Sequence, residues 1–279
     1  MKPIHIVHYV SKNLGDSIND LIFSYFIGEC TFGLKFKKDN INLLGVGSIM
    51  ALSNNTEVCG SGIISLNQKN EIPKKIHWVR GPMTRDILLK EFNRKKIKLN
   101  IPKIYGDAAL LLPFIIKSTV SKKYRVGFIP HYIDRETNLA KKIINLGAHF
   151  IDIYDYNSYQ SFIDEINSCH YIISSSLHGI IISDAYNIPS YHVVLSNKVI
   201  GGKFKFMDYY SSVGREYNTI NLEKLNDLND LTSQFKEYKC NINLAKIIDI
   251  FPHIKPEVKE ESLKMLKNGF MDYINNSNN

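Results

Sequence analysis

The residues best placed for chemistry lie in Ser174-Ser175-Ser176-Leu177-His178-Gly179, between two apolar runs. That pattern predicts a buried strand, a tight turn and a helix. Serines at the turn cap the helix, and the free N–H groups of its first turn make an anion site. His178, on that first turn, sits where a proton donor reaches a bound anion. A partly exposed polar residue at a helix start is the competing reading.

Three further groups belong to the same chemistry. Ile76 to Val79 reads as a strand that delivers Arg80 to its carboxyl end, ahead of a helix from Thr84 to Lys90. A guanidinium fork there matches the paired oxygens of a carboxylate or phosphate, with a surface salt bridge as the alternative. Gly15 allows a tight turn after a first strand, Ile4 to Val10, and Asp16 or Ser17 caps the helix that follows. Asp107 follows a short strand at Ile104 and caps an apolar turn. Either aspartate alternatively faces the cleft at the strand ends, where open α/β sheets bind ligands. Gly201 to Tyr210 reads as a basic, aromatic loop closing over a sugar or phosphate, Lys205 supplying charge and the rings stacking on sugar faces. Packing of those rings on the core is the alternative.

Strands and helices alternate along the chain. Strands are expected at 4–10, 42–49, 57–62, 76–79, 124–131, 149–154, 171–174 and 191–195, with helices near 136–146 and 158–167. A Lys- and Ser-rich linker covers 115–124. The expected fold is α/β: two doubly wound Rossmann-like domains facing a cleft, the arrangement commonest in glycosyl-transferring enzymes. Boundaries fall at 1–118 for an acceptor-side domain, 119–256 for the domain carrying His178, and 257–279 for a C-terminal helix packing back on the first. Val258, Leu263, Leu266, Phe270 and Ile274 lie on one side of that helix, with lysines opposite; attachment to a membrane surface is its alternative. Asn275–Asn279 reads as a frayed tail.

Composition narrows the class. The 279 residues are 44% hydrophobic and 22% charged, as in globular proteins. No apolar run nears the ~18 residues of a membrane span, and the N-terminus has no export signal, so the cytoplasm is expected. Cys30, Cys59, Cys169 and Cys240 form no CxxC pair and read as thiols of a reducing compartment. No metal motif is present. The net charge of +8 suggests an anionic partner, yet the basic residues are scattered, which argues against nucleic acid.

Together, Gly15-Asp16, Gly45-Val46-Gly47, Val79-Arg80-Gly81-Pro82, Gly106-Asp107-Ala108 and Ser174 to Gly179 followed by Asn187-Ile188-Pro189 resemble the polysaccharide pyruvyl transferase family. The resemblance covers about residues 4–210. Ser176 stands where many members have arginine, and Gly81 where many have aspartate. It implies a fold of the GT-B type and transfer of pyruvate from phosphoenolpyruvate to two hydroxyls of a sugar, giving a cyclic ketal and phosphate without a cofactor. His178 would then be the acid, Arg80 the donor's anchor, and Asp16 or Asp107 the base. Gly15, Ser174, Ser175, Ser176, Leu177, Gly179 and Lys205 would bind substrate. The acceptor is expected in a surface polysaccharide or its lipid-linked precursor, at the inner face of the membrane. A sugar-nucleotide glycosyltransferase of the same architecture and a non-enzymatic carbohydrate- or polyanion-binding protein are the competing functions.

Overall fold

The computed structural model describes residues 2–222 and 225–271. Its first half is a five-stranded, all-parallel sheet of β1 (Ile4–Val7), β2 (Thr31–Gly33), β3 (Ile41–Leu44), β4 (Glu57–Cys59) and β5 (Lys75–Trp78), in the order β2-β1-β3-β4-β5. Parallel sheets are covered on both faces, which explains why consecutive residues such as Ile6 and Val7, or Leu43 and Leu44, are all buried. Helix α1 (Leu14–Ile27) buries Ile18, Ile22, Phe23 and Phe26 at helical spacing. Its cap is Asn13, whose side chain accepts from the Gly15 N–H, and neither Asp16 nor Ser17 serves as cap. Helix α2 (Pro82–Arg94) follows β5.

The second half repeats the plan with β6 (Tyr124–Ile129), β7 (His149–Phe150), β8 (Cys169–Ser174) and β9 (Ser190–His192), parallel in the order β7-β6-β8-β9. Helices α3 (Asn138–Asn145), α4 (Tyr159–Asn167) and α5 (Leu177–Ala185) connect these strands. The fold is therefore α/β with two parallel sheets, consistent with a Rossmann-like architecture. The expected loop at Gly201 to Tyr210 is instead helix α6 (Gly202–Ser212). Phe204, Phe206, Tyr209 and Tyr210 are buried on it, because four large rings in seven residues are worth more inside than in water. Helix α7 is Leu228–Thr232.

The two halves are stitched together. The Leu14 N–H donates to the Ile153 carbonyl at 3.0 Å, Ser17 Oγ and Tyr156 Oη lie 2.6 Å apart, and the Tyr159 hydroxyl donates to the Ser17 carbonyl. Beyond the second sheet, α8 (Leu244–Ile250) and α9 (Pro256–Lys267) lead the chain back to α1. Phe251 stacks on Phe26 with centroids 5.1 Å apart, and the Lys255 N–H donates to the Phe26 carbonyl. Val258 is buried in the core, and Leu263, Leu266 and Phe270 pack against it. Ile274 and the Asn275–Asn279 tail lie outside the described residues. Among the described residues, no helix is long and apolar enough to cross a membrane.

Candidate functional site

The carboxyl ends of both sheets converge on one pocket of about 160 Å³. From the first half it takes Asn13, Asp16 and Ser48, and from the second His131, Ser176, His178 and Lys205. Leu177 lines it as well. Strand β8 places the serines at the lip because its apolar run ends at Ser174, after which the chain turns into α5.

The three serines have different roles. Ser174 is fully buried; its Oγ donates to the carbonyls of Ile129 and Ser176 and accepts from the Ser176 N–H. It fixes the turn and does not line the pocket, which corrects its expected part in binding substrate. Gly179 lies behind it: a Cβ there would come 2.3 Å from Ser174 Oγ, so it also acts through packing. Ser175 Oγ accepts from the His131 N–H and borders a neighbouring cavity. Ser176 occupies the N-cap of α5 without making a side-chain cap. The expected serine cap is therefore absent, and the first-turn N–H groups keep their partial positive charge.

His178 crosses from α5 to the first half. A Cβ built on Gly15 would lie 1.9 Å from His178 Nδ1, so only glycine admits the ring there. Nε2 faces Asp107 Oδ2 at 4.0 Å, and both atoms are buried without a hydrogen-bond partner. Nδ1, with no partner among the described residues, is the ring nitrogen left for the pocket. Burial lowers the imidazole pKa to about 3, with further lowering by the charges of Lys205, Arg80 and His131.

Asp107 is fully buried, and its Oδ1 accepts from the Ala109 N–H. Burial raises its pKa to about 6, against lowering by that bond, by Arg80 and by the Gly47 N–H. It stands behind His178 and is not among the residues that line the pocket, whereas Asp16, the other expected base, is. Asp16 is half-buried on the pocket wall, with Oδ2 accepting from Ser11 Oγ at 2.6 Å. Burial raises its pKa too.

Arg80 is at the site but not open to it. The side chain is fully buried, Nε donates to Asp208 Oδ2 at 3.0 Å, Nη2 lies 2.9 Å from the same oxygen and donates to the Ile63 carbonyl, and Nη1 donates to Ser48 Oγ. The expected free fork is corrected: Asp208 already occupies it. What reaches the pocket is Ser48, polarised from behind by the guanidinium. Gly62 makes room, since a Cβ there would lie 2.2 Å from the guanidinium carbon.

Lys205 is the open cation. It is 7% exposed, has no hydrogen bond or ion pair among the described residues, and lines the pocket. Burial lowers its pKa to about 8, with Arg80 adding to the effect and Asp134 opposing it. A desolvated ammonium without a carboxylate is costly unless an anion completes it. Reading the residues alone missed Ser48, His131 and Asp208; for Asp208 the one available signal was an acidic residue inside an otherwise aromatic run.

The sequence profile of the polysaccharide pyruvyl transferase family matches residues 58–197, half of the chain and the part that holds Arg80, Asp107 and His178. The chain belongs to the polysaccharide pyruvyl transferase family. Outside the matched residues, the chain draws Asp16 and Lys205 into the same pocket. It is 31% identical over 224 residues to the uncharacterized protein L143 of Acanthamoeba polyphaga mimivirus, covering 77% of this chain and 76% of that protein. It is 25% identical over 218 residues to the succinoglycan biosynthesis protein ExoV of Rhizobium meliloti (strain 1021), covering 74% of this chain and 63% of that one. Family membership makes it a transferase acting on polysaccharide.

Proposed function

We propose that this chain transfers pyruvate from phosphoenolpyruvate to two hydroxyls of one sugar, releasing phosphate and leaving a cyclic ketal. The observation that carries the reading is Lys205: a largely buried side chain whose ammonium, 5.7 Å from the Phe206 ring centroid, has no hydrogen-bond or carboxylate partner among the described residues, beside His178 in a pocket of about 160 Å³. That volume lies below the ~300–1,000 Å³ of sites for drug-sized ligands, and suits a small multiply charged anion better than a sugar nucleotide.

The steps balance on the groups present. The electron pair of the enol double bond takes a proton from His178 at the methylene carbon, leaving positive charge on the neighbouring carbon beside the ester oxygen. One sugar hydroxyl oxygen bonds to that carbon and its proton passes to Asp16. The bond from carbon to phosphate oxygen breaks, and phosphate departs against Lys205, Ser48 and the N-terminus of α5. The second hydroxyl closes the ketal and its proton returns to His178, while the proton held by Asp16 leaves with the phosphate. An empty pocket disfavours imidazolium, because burial, first, and then the charges of Lys205 and Arg80 lower the pKa of His178. A bound donor with two or three negative charges offsets those cations and restores the proton.

The two facing parallel sheets support a GT-B-like arrangement, with the donor at the ends of the second sheet. The four free cysteines accord with work in the cytoplasm, on an acceptor presented as a lipid-linked saccharide at the membrane's inner face. The test is incubation with phosphoenolpyruvate and oligosaccharides, reading released phosphate and a mass gain of one pyruvate ketal, beside a panel of nucleotide sugars. Glycosyl transfer from the panel, or salt-sensitive saccharide binding with no turnover of any donor, would refute the proposal.

A further inference from the structure

The rings expected to stack on a sugar, those of α6, are inside the core. Other rings are not. Tyr9, just past β1, and Tyr132, just past β6, are each 46% exposed and line the pocket that holds His178 and Lys205. Tyr154, past β7, is 36% exposed, with its ring centroid 5.7 Å from that of Tyr132 and the planes tilted by 38°. None of the three hydroxyls has a hydrogen-bond partner among the described residues. Three exposed tyrosines thus follow three strands, two of them on the lining of one opening and the third against its neighbour, while the other exposed large rings among the described residues, Phe36 and Tyr124, line no part of it.

We propose that Tyr132 and Tyr154, with Tyr9 on the facing side, form the platform on which a hexopyranose ring of the acceptor is held. This rests on the pyruvyl-transfer reading above. The two hydroxyls to be joined must reach a carbon held over His178, so the acceptor ring has to sit at this mouth, where the tyrosines are. The apolar C–H face of a pyranose meets the electron-rich face of an aromatic ring, and a tyrosine keeps its wet end free for the sugar's hydroxyls. The platform is also braced. The His131 ring packs on Tyr132 at 4.5 Å, and the Arg135 guanidinium lies 5.9 Å from the Tyr154 centroid while paired with Asp152. Bracing from behind limits the freedom lost when a sugar docks. Asp16, from the first half like Tyr9, lines the same pocket, where the proposed reaction has it take a hydroxyl proton.

The experiment uses the full chain and four surface variants, Tyr132→Ala, Tyr154→Ala, Tyr132→Phe and Tyr154→Phe. Each is assayed for phosphate release from phosphoenolpyruvate with lactose, cellotetraose or mannotetraose as acceptor. The alanine variants are expected to raise the acceptor KM by about tenfold or more, with the phosphoenolpyruvate KM within about twofold of wild type, and the phenylalanine variants to stay near wild type. Alanine variants with an unchanged acceptor KM, or phenylalanine variants as impaired as alanine, would overturn the proposal. A rise in the phosphoenolpyruvate KM alone would overturn it too, by assigning the rings to the donor. Saturation-transfer NMR from tyrosine protons to the same three oligosaccharides reads the platform without turnover. Transfer that is lost in Tyr132→Ala supports the platform even if phosphoenolpyruvate proves not to be the donor. No transfer from wild type to any of the three sinks it while leaving the donor chemistry standing.

Discussion

Gly15 and His178, 163 positions apart in the chain, are in contact so close that a methyl group on the first would fall 1.9 Å from Nδ1 of the second. The imidazole of the second half is seated on the backbone of the first, and the seat has the size of a hydrogen atom.

Gly15→Ala follows directly. The position is inside α1, where alanine is favoured over glycine by about 1 kcal/mol, so the fold loses little. The ring must swing away, and kcat is expected to fall toward the ~10²- to 10⁴-fold loss anticipated for His178→Ala. Steady-state kinetics beside thermal melts check this; an active Gly15→Ala enzyme would show that the ring's seat is immaterial.

Lys205→Met keeps the apolar stem and removes the charge. The KM for phosphoenolpyruvate is expected to rise at least tenfold, with acceptor KM little changed. In the wild type the ammonium begins to lose its proton near pH 8, so donor affinity falls as pH rises through that region. The Met variant should lose that alkaline limb, which a pH series of donor binding by calorimetry would reveal.

The Asp107–His178 pair makes a prediction about stability. Asp107, its folded pKa raised to about 6, contributes stability that is present below its unfolded pKa and lost as pH rises through 6. His178, its folded pKa lowered to about 3, contributes the opposite slope: stability present above the unfolded value near 6.5 and lost as pH falls toward 3. Between about pH 4 and 6 the two offset each other. Relative to wild type, His178→Phe should therefore lose stability as pH rises across that window, and Asp107→Asn should gain it. Urea titrations at four pH values settle the signs.

Asp208→Ala leaves the Arg80 guanidinium buried without its carboxylate, and also strips an acceptor from the Thr84 N–H and hydroxyl. Loss of one partner of a buried pair typically costs ~3–5 kcal/mol. The double change Arg80→Met with Asp208→Leu is expected to cost less than Asp208→Ala alone. Chemical denaturation compares them.

The strands of both halves were legible because parallel sheets leave near-continuous apolar runs, as in Ile172-Ile173 or Leu43-Leu44. Strand β2 was not, since Thr31-Phe32-Gly33 is three residues on a sheet edge and has no pattern of its own. The places of His178 and Asp16 near helix starts that follow strands were likewise readable, whereas Lys205, expected in a loop, lies on a helix. Whether a polar group faces a ligand or a neighbour was not readable. Arg80 and Asp208, 128 positions apart, meet only in three dimensions, and α6 looked like a loop because its aromatic and basic residues show no clean stripe. Tyr9 and Tyr132 carry no spacing signal, and only their exposure marks them.

The bonds that Leu14 and Ser17 make to Ile153, Tyr156 and Tyr159 mean that α1 travels with the second half as much as with its own sheet. A chimera joining the first half of one relative to the second half of another would thus bring together surfaces that never adapted to each other, and would lose turnover before solubility. Recombination inside this family should succeed only where the exchanged piece takes the leading helix with it.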